Sequence, residues 1–432
     1  MSFIDNLKFS LGLDKPNSDK HLSGSNVFCM APWVQLHAQT NGKMAPCCMA
    51  AIHEGNEIGN LQTDSNLLNA WNSPAMKQLR LNMIDGKRNS ICRNCYSYEE
   101  HGKFSERMQY NLDFKSYYQR VTDMLRDGTV TENNIPIIDI RFSNKCNYKC
   151  RICNSLFSSH WYEEELKIGT PDAGESKEMK AARDQDIFWE SFKSLLPYVK
   201  RLHFAGGEPL FMDEHYEVLD HLVSIGKTDV NLTYNTNFST LRYKKYNAIA
   251  LWNKFDKVDI WASLDGMGPQ GDYHRKGQKW NEVEENIRTL HNECKTAIFG
   301  VNITVSIFNI LHVPDFYKYM VENRLVDHDR VNLYMLFGPE EFNITNLPQS
   351  IKDEAIKKFE ELDKNYLQIL PDPSKIRNHI QSVISYMQSD TNLCKLKLQE
   401  TILQIDKIRN ENFLQSFPDL SAIMAPVAED SI

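Results

Sequence analysis

Eight of the ten cysteines fall within the first 153 of 432 residues, in two groups with internal spacing. Thiols set this closely either pair as disulfides or hold metal, and the redox compartment decides between the two. Residues 1–13 include Asp5 and Lys8 and show no basic-then-apolar leader, so a cytoplasmic location is expected. In that reducing setting both groups are expected to ligate a metal or a cluster.

Composition narrows the setting further. A chain of 432 residues exceeds one ordinary core, so two or three structural units are expected. Hydrophobic residues at 41% and charged residues at 25% are those of a globular protein. Nineteen glycines and 16 prolines exclude collagen-like or low-complexity architecture. No run approaches the ~18 apolar residues of a membrane span. A net charge of -8 argues against general affinity for nucleic-acid backbones or anionic membranes, leaving only a local basic patch to bind either.

The pattern divides the chain into a tail over 1–27, a Cys-rich module over 28–101 and a charged helical connector over 102–134, which includes 117–125. A regular α/β region over 135–340 and a helical extension over 341–432 follow. Within the α/β region, 137–142, 201–205, 230–234, 258–264, 301–307 and 331–337 read as strands. The fifth is the clearest, with Val301, Ile303, Val305 and Ile307 alternating against Asn302, Thr304 and Ser306. Helical faces lie between them: Val218, Leu219, Leu222 and Val223 form one, and Val283, Ile287 and Leu290 another. Six strands with intervening helices imply right-handed βαβ units and a parallel sheet. Polar residues alternating within a strand require a cavity on one face, so a partial (β/α)6 barrel is expected rather than a flat, doubly covered sheet. In the extension, 351–362 and 396–413 read as amphipathic packing helices.

The loop after the first strand reads Cys146-Asn-Tyr-Lys-Cys150-Arg-Ile-Cys153. Three thiols at this spacing can hold three irons of a 4Fe-4S cubane and leave the fourth open to an outside ligand. The alternative is zinc, which needs four donors, the fourth then coming from Cys294 or Cys394. Past the next strand stands Ala205-Gly206-Gly207-Glu208-Pro209. Paired glycines there allow close backbone approach to a ligand, and Pro209 stiffens the exit. The C-terminal ends of parallel strands are where α/β barrels place their chemistry.

The three-cysteine loop together with Gly206-Gly207-Glu208-Pro209 resembles the radical S-adenosylmethionine (SAM) superfamily over about half the chain. The resemblance implies that Cys146, Cys150 and Cys153 hold the 4Fe-4S cluster and that its open iron chelates the methionyl part of SAM. It further implies that Gly206, Gly207 and Glu208 engage the SAM amino group and that Ile152 packs near adenine. Ser263-Leu264-Asp265-Gly266 resembles the family's ribose-contacting position, through Ser263 and Asp265. Asn235, with Thr236 and Asn237, could line the pocket or cap a turn. Asn302 and Thr304 are expected on its wall, and Arg275 could neutralise the SAM carboxylate or lie at the surface. The implied chemistry is reductive cleavage of SAM to a 5′-deoxyadenosyl radical that removes hydrogen from substrate.

In the N-terminal zone, Cys29, Cys47, Cys92 and Cys95 give four thiols that could close a zinc ion or a second Fe–S cluster. Cys48 beside Cys47 leaves that choice open. Residues 29–33, Gly42 four residues before Cys47, Ile58-Gly59-Asn60-Leu61 and the Cys92/Cys95 pair resemble the twitch and SPASM auxiliary modules of radical SAM enzymes. Four ligands fit the one-cluster twitch form, here placed before the barrel. His101 stands where a longer module would carry another cysteine. The resemblance implies an auxiliary 4Fe-4S cluster that relays electrons, a flavodoxin or ferredoxin as electron donor, and a peptide or small-molecule substrate. The rival functions are an RNA-modifying radical SAM enzyme and a zinc-stabilised binding protein. Cys294 and Cys394 are isolated; His37, His203 and His215 lack partners at metal-ligand spacing and are expected in core or surface roles.

Overall fold

A computed structural model describes residues 18–426, except 54, 101, 103, 170, 171, 173, 175 and 390–394. His101, Cys394 and most of the 1–27 tail lie outside the described residues. The chain forms two compact units. One holds the described residues up to Phe142 together with Lys180–His203; the other holds Ser143–Met179 and the described residues from Phe204 onward.

In the first unit, strand Gln35–Ala38 runs parallel to Ile137–Ile140, setting His37 opposite Asp139. On its other edge it pairs antiparallel with Lys43–Ala45, which pairs in turn with Gly59–Asn60. Arg201 enters beside Pro136, donating its backbone N–H to the Pro136 carbonyl at 3.0 Å. All residues of Gln35–Ala38 and Ile137–Ile140 are buried, as in strands covered on both faces. Helix Gln185–Leu195 starts where Asp184 accepts from the Ile187 N–H, and it buries Phe188, Phe192 and Leu195 at helical spacing. Phe142 meets Phe188 and Phe192 edge-to-face, which forms the aromatic centre of this unit. Arg80, on helix Pro74–Ile84, is fully buried. It donates to the carbonyls of Pro32, Trp71 and Gly128 and to Asn72 Oδ1, joining four segments at one guanidinium.

The expected connector is mostly short turns over 117–125, with Gln119–Thr122 helical. Its main helix is Glu106–Asp113, capped by Ser105, whose hydroxyl accepts from the Met108 N–H.

The second unit is built on four parallel strands, Asn231–Thr236, Lys257–Ser263, Ala297–Val305 and Val331–Met335, adjacent in that order. Each connection carries a helix, as the βαβ pattern requires. The expected alternation is present: Val301, Ile303 and Val305 are buried while Asn302 and Thr304 are half-buried. This α/β architecture with parallel strands and a helical C-terminal extension matches the fold class read from the sequence. The fifth strand begins at Ala297, four residues earlier than its alternation signals, because Ala297–Gly300 pairs with 258–261 before the polar alternation starts. The last long helix, Lys395–Arg409, ends before 413: Asn410 takes a left-handed φ of 52°, and a short helix, Phe413–Ser416, follows. Among the described residues no helix is long and apolar enough to cross a membrane.

Two candidate metal centres

The three-cysteine loop and the glycine pair meet through the backbone. Gly207 N–H donates to Ser143 O at 3.2 Å, and Glu208 N–H donates to Lys145 O at 2.8 Å. A Cβ at Gly207 would stand 2.0 Å from Lys145 O, so only glycine permits this approach to the residue before Cys146. Gly206 adopts a φ of 117°, a conformation that side chains rarely take. Cys146 Sγ accepts from the Tyr148 N–H at 3.4 Å. Cys150 pairs in antiparallel register with Arg275, whose guanidinium reaches its Sγ at 3.6 Å. Cys153 N–H closes the turn on the Cys150 carbonyl at 3.0 Å. Burial pushes all three thiols up, Cys153 to about 12; Cys150 and Cys153 raise Cys146 further, while Arg275 works against the rise at Cys150. A buried cation facing these sulfurs suits their ionised, metal-bound form.

Glu208 is buried with both carboxylate oxygens engaged. Oε1 accepts from Leu210 N–H at 3.0 Å and Thr236 Oγ1 at 2.6 Å, and Oε2 accepts from Asn237 N–H at 2.6 Å. It thereby ties the glycine turn to the end of strand Asn231–Thr236. Burial pushes its carboxyl up to about 7 despite these donors. The cysteine loop reaches the same strand end: Asn237 Nδ2 donates to Asn147 Oδ1 and Asn147 Nδ2 to Ser239 Oγ, each at 2.9 Å. Pro209 starts the buried turn that follows.

Asp265, fully buried, accepts from Thr304 N–H at 2.7 Å and pairs with Arg275 at 2.7 Å. Burial weakens the Arg275 charge, but Asp265, with Cys150 and Tyr148 beside it, more than restores it. Asp265 thus stands one guanidinium away from Cys150. Ser263 is half-buried at its strand end, and Ile152 is half-buried within the cysteine turn. Asn302 donates to Asn235 at 3.3 Å and receives from Asn332 at 2.9 Å, making an amide ladder across the sheet face. Cys294 is buried at the end of helix Trp280–Glu293 with Thr296 Oγ1 at 3.9 Å. His215 is a core residue, its Nε2 at 2.9 Å from Tyr234 Oη.

In the first unit, Cys29, Cys47, Cys92 and Cys95 line one small cavity with Arg107 and Tyr110; Cys48 is not among its walls. Burial pushes all four thiols up, Cys92 to about 12; Cys92 and Cys95 raise Cys29 further, and Cys48, Cys29, Cys95 and Cys92 raise Cys47. Cys48 is raised by burial and then by Asp139 and Glu106, not by the other thiols. The Ala31 N–H donates to Cys29 Sγ at 3.4 Å, a contact that suits a thiolate. Arg107 is held by Glu99 at 2.6 Å and by the carbonyls of Ser25 and Phe28. No cysteine announces Arg107 or Tyr110 in the sequence. The readable signal is the Ser105 cap, which launches a helix setting both on one face. His37 and His203, which lacked partners in the sequence, flank buried Asp139 at 3.2 and 3.1 Å. Burial alone would raise Asp139, and the two imidazoles instead hold it well below the usual carboxylate range.

Among the described residues, no three His, Cys, Asp or Glu side chains gather around a point that a single metal ion could occupy. A cubane spreads its thiolates over separate irons and so needs them farther apart than one ion does.

Residues 29–96 match the model of SPASM, an iron-sulfur cluster-binding domain. No curated protein matches the chain. Among solved structures, native anSMEcpe with bound AdoMet is 17% identical over 54% of this chain and 62% of that one, with a TM-score of 0.39. This chain therefore spans less than two thirds of that protein. Streptococcus suis SuiB bound to its precursor peptide SuiA is 13% identical over 80% of this chain and 68% of that one, TM-score 0.35. TYW1 with a lysine-pyruvate adduct is 16% identical over 54% and 72%, TM-score 0.27. These scores are too low to carry a common fold. Over residues 29–96 this chain is similar to SPASM, an iron-sulfur cluster-binding domain.

Proposed function

We propose that the protein is a radical SAM enzyme carrying two 4Fe-4S clusters, acting on a peptide or small molecule with electrons from a flavodoxin or ferredoxin. The observation that carries this reading is the backbone pairing of Gly207 and Glu208 with Ser143 and Lys145, which sets the glycine pair against the three-thiol loop. The likeness of 29–96 to an iron-sulfur cluster-binding domain supports the second centre. When bound, cluster and SAM supply a 5′-deoxyadenosyl radical able to remove a hydrogen atom from substrate.

The chain's own residues divide the remaining work. Cys146, Cys150 and Cys153 hold the first cluster. Arg275, anchored by Asp265, offsets negative charge at Cys150. Gly206 and Gly207 form the turn that receives the SAM amino end, Gly207 by letting that turn close on Lys145 beside the cysteine loop, and Glu208 holds Thr236 and Asn237 in place beside them. Pro209, Ile152, Ser263, Asn235 and Asn302 complete the SAM surroundings. Cys29, Cys47, Cys92 and Cys95 bind the second cluster through four thiolates. That leaves no iron open there, so its role is electron transfer, and the expected outcome is net substrate oxidation.

Anaerobic incubation with SAM and dithionite tests the reading. 5′-Deoxyadenosine is expected, and its formation should vanish in Cys150→Ala. An iron-loaded sample that makes none would overturn it. Iron in a Cys92→Ala/Cys95→Ala variant should fall below wild type; equal iron would remove the second cluster.

A further inference from the structure

Arg151 stands inside the cysteine motif, between Cys150 and Cys153, and it is fully buried. A buried cation must be paired, and Arg151 finds both its carboxylates more than 250 positions away in sequence. Its Nη2 lies 2.5 Å from Asp406 Oδ1 and 2.6 Å from Glu411 Oε2. The guanidinium also stacks 3.6 Å over the ring of Tyr273, whose hydroxyl donates to Asp406 at 2.7 Å. The second oxygen of Asp406 accepts from Phe413 N–H at 2.7 Å. Glu411 holds Lys276 at 2.5 Å, next to the residue whose guanidinium reaches Cys150.

A second grip lies on the other flank. Arg409 donates to Glu164 at 2.9 Å and stacks 4.6 Å over Trp161. Trp161 Nε1 in turn donates to the Cys150 carbonyl at 2.7 Å, and Glu164 also binds Lys149. The left-handed Asn410 makes the turn that lets Asp406, Arg409 and Glu411 face the loop together. Plain helix packing would bury apolar residues here, yet these contacts are charged, buried and converge on 149–151 from both sides.

We infer that residues 406–413 are a positioning clamp for the first metal centre: they hold the Cys150–Cys153 turn in ligating shape, so cluster retention and docking of the C-terminal helix are coupled. The inference rests on Cys146, Cys150 and Cys153 being ligands. Coupling is reciprocal, so iron at this centre must also strengthen the docking.

The test uses the full chain carrying Cys92→Ala/Cys95→Ala, so that the iron read is that of the first centre. Into this parent go Asp406→Asn and Glu411→Gln together, which leave Arg151 uncompensated. Iron release to a chelator should become about 10-fold faster or more, and the electron paramagnetic resonance signal of the reduced cluster should change shape. Adding Arg151→Met removes the unpaired charge and should slow release again. Proteolysis at 395–413 should be slower in iron-loaded than in iron-free parent. Should the double variant fail to fold, Glu411→Gln alone carries the same comparison. Release and spectrum equal to the parent, or equal cutting with and without iron, would overturn the clamp. A parent that binds no iron would instead sink the ligand assignment itself.

Discussion

Glu208→Gln separates the charge of this residue from its hydrogen bonds. Burial raises the Glu208 carboxyl from 4.5 to about 7, a shift worth about 3 kcal/mol. The folded protein holds this proton more tightly than the unfolded chain. The contribution is therefore complete below pH 4.5 and is lost as the pH rises through 7. Glutamine cannot ionise, so its contribution is flat. Its amide oxygen can keep the donors from Leu210 and Thr236, but its nitrogen cannot accept from Asn237 N–H. One buried donor left unmet costs about 1–3 kcal/mol. The variant should thus be less stable than wild type by about that amount near pH 5, with the gap closed or reversed by pH 8. Equilibrium urea unfolding of both proteins from pH 5 to 8 measures it. His215 and His274, which burial holds down, titrate alike in both and drop out of the difference. A difference that stays constant with pH would show that Glu208 is not a buried, ionisable strut.

Other outcomes follow from the same geometry. Cys47→Ser should lower the iron content of anaerobically reconstituted protein, whereas Cys48→Ser should not, because only Cys47 lines the four-thiol cavity. Gly207→Ala drives a Cβ into the Lys145 backbone and should cost about 3 kcal/mol or more, read as a lowered melting temperature; a wild-type melting temperature would refute the close approach. Arg80→Met leaves three carbonyls and Asn72 without their donor and should cost about 3–5 kcal/mol, again by thermal unfolding.

Much of the fold was legible because its signals are local. Val301, Ile303 and Val305 alternate with Asn302 and Thr304 over consecutive residues, and Val283, Ile287 and Leu290 repeat at helical spacing. Gln35–Ala38 was not legible: four buried residues in a strand covered on both faces show no alternation, and Gln and His do not read as core. Its place depends on Ile137–Ile140, a hundred positions away.

The candidate sites divide along the same line. The short spacing of Cys146, Cys150 and Cys153, and of Cys92 and Cys95, fixes in sequence which thiols can share a centre, because the chain between them cannot extend far. Cys47 and Cys48 are equivalent by that measure. Adjacent side chains leave the backbone in different directions, so tertiary packing alone puts Cys47 in the wall of the cavity that Cys29, Cys92 and Cys95 also line and leaves Cys48 out of it. Asp265 and Glu208 show the same limit. Their strand-end positions were evident from sequence, but what each carboxylate grips was not. A hydrogen-bond partner is set by three-dimensional proximity, and Arg275, Thr236 and Asn237 come within reach only when the strands are laid side by side.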